Sequence, residues 1–159
     1  MKGKIDWSKL LISVVSAIAI GSSGAFFTAG AVSTWYRDIN KPFFTPPSWL
    51  FGPAWTILFI LMGVAFYLVW VKGLNTKKGS EAFRAYVLQF IFNVAWSGIF
   101  FGMGAFWLAY AEILILWWLI YRTIKSFSVV DMLAGRLLLP YLAWVTFASF
   151  LNLGVAWLN

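Results

Sequence analysis

The chain has 159 residues, 62% of them hydrophobic and 11% charged, with a formal net charge of +7. So few charges could not cover that much apolar surface in water, which excludes a soluble domain of this size. Cysteine and histidine are both absent, which excludes disulfides, thiolate chemistry, imidazole proton shuttling and haem iron held by His or Cys.

No charge falls between Lys9 and Arg37, between Lys41 and Lys72, or between Arg84 and Glu112, and none follows Arg136. A helix rising about 1.5 Å per residue crosses a hydrocarbon core of about 30 Å in about 20 residues. The expectation is an all-α membrane protein: one five-helix transmembrane domain over residues 1–159, with spans near 10–32, 48–71, 82–101, 105–121 and 132–157.

The first span is Lys-flanked and apolar. It could pass for a signal peptide, but its uncharged stretch is long for one, and a retained helix is the favoured reading. Ser13, Ala17, Gly21, Ala25 and Ala29 recur every four residues, giving a small-residue face that lets another helix approach closely in lipid. The connection that follows, residues 33–49, carries Trp35, Tyr36, Arg37, Lys41 and three prolines, Pro42, Pro46 and Pro47. Proline stiffens the backbone, so an ordered outer loop over the bundle is expected. Spans two and three are joined by a solvated turn around Gly73, Asn75 and Gly79. Gly102-Met103-Gly104 reverses the chain between spans three and four. Pro140 falls near the middle of span five and is expected to bend it.

The basic residues lie at span ends, which argues against nucleic acid as a partner. Lys2, Lys4, Lys9, Lys72, Lys77, Lys78, Arg84, Arg122, Lys125 and Arg136 fall on one side, and only Arg37 and Lys41 on the other. By the positive-inside rule the N-terminus is cytoplasmic and the C-terminus outside, with the cell membrane as the default location.

Some of the eleven tryptophans suit an interfacial belt: Trp7, Trp70, Trp157 and the pair Trp117-Trp118. Trp96 and Trp144 fall near mid-membrane and Trp55 about a turn inside span two. A buried indole N–H wants an acceptor, so these three face protein or a cavity, and both readings stay open. On span three, Gln89, Asn93, Trp96 and Phe100 share a face; on span five, Tyr141, Trp144, Ala148 and Asn152 do the same. The carboxamides must hydrogen-bond something in hydrocarbon, either a neighbouring helix or a ligand. Glu112, about two turns into span four, is costly in lipid and is expected to face the bundle and make a structural hydrogen bond rather than carry ions. Gly98 and Gly102 form a GxxxG element suited to a dimer. Met62, Met103 and Met132 read as packing residues. No catalytic set, phosphate loop or metal cluster appears, and the lack of an internal repeat argues against an inverted-repeat carrier.

Trp35-Tyr36, Lys41-Pro42, Pro46-Pro47 and Gly52-Pro53-Ala54-Trp55 resemble the signature of the tryptophan-rich sensory protein / translocator protein family, also called the peripheral benzodiazepine receptor family. Asn93-Val94-Ala95-Trp96 with Phe100-Phe101-Gly102 resembles its third helix, and Leu139-Pro140-Tyr141-Leu142-Ala143-Trp144 through Asn152 its fifth. The resemblance covers essentially the whole chain. It implies a five-helix bundle, commonly a homodimer, that binds porphyrins such as protoporphyrin IX and hydrophobic isoquinoline carboxamides as ligands and needs no cofactor. It places the pocket beneath the outer loop, with Trp35, Tyr36, Pro47, Trp55, Asn93, Trp96, Ser97, Trp144 and Ala148 in its wall. It also implies a rival activity, light- and oxygen-dependent porphyrin breakdown, through the residues matching Trp55 and Trp144.

Two positions depart from the family pattern. Phe44 stands where the family has tryptophan, and a phenyl ring can stack but cannot donate. The sterol-recognition element of animal members has no counterpart near the C-terminus. The resulting expectation is a membrane receptor for tetrapyrroles, acting as sensor, carrier or scavenger; porphyrin breakdown, or transport of tetrapyrroles or lipids, is the alternative. Arg37 and Lys41 at the outer rim suit either ligand propionates or lipid phosphates.

Overall fold

The computed structural model describes residues 5–159 and is helical, with no strand among the described residues. Lys2 and Lys4, counted above on the basic side, lie outside them. Four helical stretches are long and apolar enough to cross a membrane. A bent pair of helices supplies a fifth span, so the chain is a multi-pass membrane protein built as a five-helix bundle.

That bent pair replaces the single first helix expected over residues 10–32. Helix α1 (Trp7–Ser22) starts at Asp6, whose carboxylate accepts the Lys9 N–H at 3.0 Å. Helix α2 (Ala25–Ser33) leaves it at 42°. Small residues on both sides of the joint explain the turn. Gly21 lies against the Phe59 ring, and a Cβ on Gly63 would sit 2.6 Å from Val14 Cα, so α1 closes tightly on helix α3 (Phe51–Gly73). Gly24 lies beside Ser97, where a Cβ would meet Oγ at 2.9 Å, so α2 leans toward the end of helix α4 (Lys77–Ser97). The small-residue stripe is thus divided: Ser13, Ala17 and Gly21 are buried, while Ala25 and Ala29 are not.

Helix α4 is capped by Thr76, whose hydroxyl accepts the Gly79 N–H at 3.0 Å. It ends in a π-helical turn, Gly98–Gly102, before Gly104 at φ +63° reverses the chain. That left-handed conformation favours glycine. The Phe27 ring of α2 covers the π-turn, 3.7 Å from the Cβ position of Gly98 and 3.1 Å from that of Gly102. The GxxxG element is therefore used within the chain.

Helix α5 (Phe106–Val130) packs on α4 and on helix α7 (Leu139–Leu158). Between them Asp131 caps the short helix α6 (Met132–Leu137), accepting from Leu133 N at 2.8 Å and Ala134 N at 3.1 Å. Asp131 also pairs with Lys72 at 3.5 Å. The sequence places Pro140 as a bend near the middle of one helix, but the structure puts it elsewhere. The span breaks at Leu138, and Pro140 sits in the first turn of α7, where a missing N–H costs nothing. At the same end of the bundle Lys9 lies over Trp70, Arg122 over Trp118 and Lys125 over Tyr121. Trp118 is exposed there, but Trp117 turns inward and donates to Thr146 Oγ1 at 2.7 Å.

The outer loop is ordered by its own hydrogen bonds. Two 3-10 turns, Trp35–Arg37 and Ser48–Leu50, bracket it. Lys41 Nζ donates to the carbonyls of Tyr36, Arg37 and Ile39 at 2.6, 3.1 and 3.2 Å. Asn40 N donates to Asn159 Oδ1 at 3.0 Å, and Asn159 Nδ2 returns to Asn40 O at 2.8 Å. Pro42 lies against Gly154 of α7. The loop is thereby strapped across the bundle to the end of α7.

Candidate functional site

Beneath that loop lies a cavity of about 520 Å³, within the usual range for small-molecule sites. Its wall is drawn from α1, α2, the loop, α3, α4 and α7. No charged side chain lines it among the described residues.

Seven of the nine site residues expected from sequence are in this wall; Trp35 and Pro47 are not. Trp35 instead supports the loop from outside, its ring 6.1 Å from Tyr36 and 5.8 Å from Phe106. Pro47 is exposed, and its carbonyl starts the second 3-10 turn by accepting Leu50 N at 3.0 Å. Tyr36 closes the top of the cavity and packs its ring on Phe101 at 5.4 Å. Burial raises its phenol above the ordinary value, so it stays a neutral group. Phe44, at the position where the family has tryptophan, is outside the wall and packs on Phe43 and Phe147.

The three inner tryptophans differ in how their N–H groups are used. Trp96 donates to Asn152 Oδ1 at 3.0 Å, and Asn152 Nδ2 donates onward to Phe106 O at 2.9 Å. This pins α4 to α7 and to the start of α5. The indoles of Trp55 and Trp144 donate to no protein atom among the described residues. Trp55 stacks on Phe59 with centroids 5.4 Å apart and meets Tyr141 edge-on at 6.1 Å. Trp144 is held by Phe51 and Phe147, each at 6.0 Å. Both rings are therefore held in the cavity wall, and neither N–H has a protein acceptor among the described residues.

Below them the carboxamides are satisfied in a short chain. Asn93 Nδ2 donates to the Tyr141 hydroxyl at 2.9 Å, and that hydroxyl donates to Gln89 Oε1 at 3.0 Å. Gln89 Nε2 ends on Tyr86 O at 3.0 Å. Asn93 also lines the cavity, and its Oδ1 accepts from no protein donor among the described residues, so it offers one acceptor beside the two indole donors. Ser97 and Ala148 complete the wall on α4 and α7.

Glu112 is buried and faces the bundle, but the structural hydrogen bond expected for it is not made. Neither carboxyl oxygen has a partner among the described residues, and Glu112 is not in the cavity wall. No group of three or more metal-ligating side chains occurs among the described residues. Sequence reasoning missed Phe59, one turn below Trp55, and the α2 residues Thr28 and Val32, which reach the wall only because the first span bends.

A model of the TspO/MBR family matches residues 12–158. The chain is 42% identical to a tryptophan-rich protein TspO from Archaeoglobus fulgidus, over 95% of this chain and 97% of that protein. It is 34% identical to a tryptophan-rich sensory protein from Cereibacter sphaeroides, over 98% and 94% of the two chains. It is 38% identical to the human translocator protein, over 81% of this chain and 77% of the human one.

Proposed function

Because the chain belongs to the TspO/MBR family of membrane proteins, we propose that its cavity binds a flat hydrophobic tetrapyrrole of the protoporphyrin IX type, and isoquinoline-like molecules of similar shape. The protein then acts as a membrane receptor, serving as sensor, carrier or scavenger. The N-terminus is cytoplasmic and the C-terminus outside, by the bias of basic residues, and the working unit is a homodimer in the cell membrane.

One observation carries this reading: Trp55 and Trp144 are locked in place by aromatic neighbours yet keep their indole N–H groups unpaired at the cavity wall. Indole faces stack on a planar π-system, each pair adding about 0.5–1.5 kcal/mol beyond area burial. An indole N–H with no protein partner can donate to an acceptor on a ligand. Asn93 Oδ1 supplies the complementary acceptor. Trp55→Ala with Trp144→Ala should weaken quenching of tryptophan fluorescence by protoporphyrin IX at least about tenfold in apparent Kd, the loss of roughly one such pair per ring. Unchanged affinity would sink the assignment of this pocket.

Light- and oxygen-dependent porphyrin breakdown is a second reading, favoured by the same two indoles, whose electron-rich rings border the slot. It requires a new absorption band under illumination that disappears when positions 55 and 144 carry phenylalanine. Binding is preferred because it asks nothing of the site beyond the stacking and hydrogen bonding its walls offer.

A further inference from the structure

The cavity wall is not equally closed on all sides. Of its lining residues, those exposed are Ser22, Ala25, Ala29 and Ser33 on the first span, and Ser48, Gly52 and Thr56 at the start of the second. None comes from α4 or α7. The opening is therefore a seam between α2 and the first turns of α3.

The bend at Ser23-Gly24 produces that seam. Helix α1 runs packed along α3, while α2 turns away toward the π-turn after α4. The two halves of one span thus part company, and the second half no longer closes on α3. From Ser22 to Ser33 the α2 lip extends about 16 Å at the helical rise, roughly half the hydrocarbon thickness. Every exposed lining residue on either lip is small and uncharged. A Cβ built on Gly52 meets nothing within 4 Å. The top of the cavity is closed differently: Tyr36 is buried, Lys41 ties its carbonyl down, and the Asn40–Asn159 pair straps the loop to α7.

We propose that the cavity takes its ligand laterally from the bilayer, through the α2–α3 seam, as a molecule already dissolved in the lipid phase. The strapped loop serves as a fixed roof. This rests on the binding reading above and adds the phase that supplies the ligand. Its physical basis is direct. A hydrophobic ring partitions into hydrocarbon far more than into water, and an uncharged slit with small side chains on both lips presents it with little steric or electrostatic barrier. A route under the roof would break the loop's hydrogen bonds at each passage.

The test uses the full chain in nanodiscs, with protoporphyrin IX as probe and stopped-flow tryptophan quenching as readout. Gly52→Phe and Ala29→Phe place a ring in the seam from opposite lips. Gly30→Phe is the control: a Cβ there also meets open space, but Gly30 does not line the cavity. Both plugging variants should slow association and dissociation together, each by at least about tenfold, since a barrier in the entrance is common to both directions. The control should match the unaltered chain. Asn159→Ala, which removes two of the roof's bonds to α7 and leaves that of Asn40 Nδ2 to Leu158 O, should leave both rates unchanged.

Unchanged rates in both plugging variants overturn the proposal. So does faster loading in Asn159→Ala, which would make the loop the gate. Weaker affinity without slower association overturns it as well, because the new ring would then fill the cavity and not its entrance. Absence of quenching in the unaltered chain is a separate result, and it removes the binding reading itself.

Discussion

Trp96 and Asn152 form an indole–carboxamide bond in the cavity wall, at 3.0 Å between helices α4 and α7. Asn152 Nδ2 donates one amide hydrogen to Phe106 O, so one side chain fixes the relative height of three helices. Its role is structural, and it frees Trp96 from any need of a ligand acceptor.

Asn152→Leu removes both bonds and leaves the Trp96 N–H unpaired in a nonpolar wall. The expected loss is about 1–2 kcal/mol, at the upper end for interhelical hydrogen bonds in membranes. Thermal unfolding in detergent measures it. A melting temperature equal to that of the unaltered chain would show that the bond contributes nothing.

Tyr141 sits between two carboxamides, accepting from Asn93 and donating to Gln89. Tyr141→Phe keeps the ring against Trp55 but orphans both partners. We expect a loss of about 1–3 kcal/mol, the penalty of leaving buried polar groups unmatched. Tyr36→Phe, whose hydroxyl makes no hydrogen bond to the protein among the described residues, should cost well under about 1 kcal/mol. Equal losses in the two variants would contradict this account.

Gly63 touches the α1 backbone, where a methyl would lie 2.6 Å from Val14 Cα and 2.9 Å from Ser13 O. Gly63→Ala must push α1 off α3, and overpacking against backbone costs about 1–3 kcal/mol. Gly30→Ala enters open space in a helix and should be neutral, or stabilising by up to about 1 kcal/mol. The pair is read by comparing melting temperatures, and the prediction fails if Gly30→Ala is the more damaging change.

Asn159→Ala should leave global unfolding almost unchanged while loosening the loop. Hydrogen–deuterium exchange of residues 38–47 is the measurement, because local opening is governed by the bonds that hold a segment rather than by the whole fold. Exchange there should rise several-fold, with α3 to α5 unaffected. Unaltered loop exchange would mean that Lys41 and Pro42 suffice.

The five-span plan was legible because charge-free stretches of membrane length have a simple physical cause, the cost of ions in hydrocarbon. Helical spacing also puts Asn93 with Trp96, and Trp144 with Ala148, on one face of each helix, and those faces line the cavity. The bend at Ser23-Gly24 was hidden, since it depends on Gly21 meeting Phe59 and Gly24 meeting Ser97, contacts far apart in sequence. Pro140 misled for a related reason: a proline marks either a kink or a first helical turn, and only the break at Leu138 decides which. Gly98 and Gly102 looked like a surface for another chain, but Phe27 reaches them first. The hydrogen bond expected for Glu112 failed because burial does not guarantee a partner.

The clamp made by Lys41 has a consequence for charge discrimination. Its ammonium already holds three backbone carbonyls, while the Arg37 side chain donates to no protein acceptor among the described residues. Neither cation lines the cavity, so an acidic arm on a ligand meets no counter-ion in the wall and must reach the loop rim or stay hydrated. Capping such arms as esters should then cost a bound ligand little.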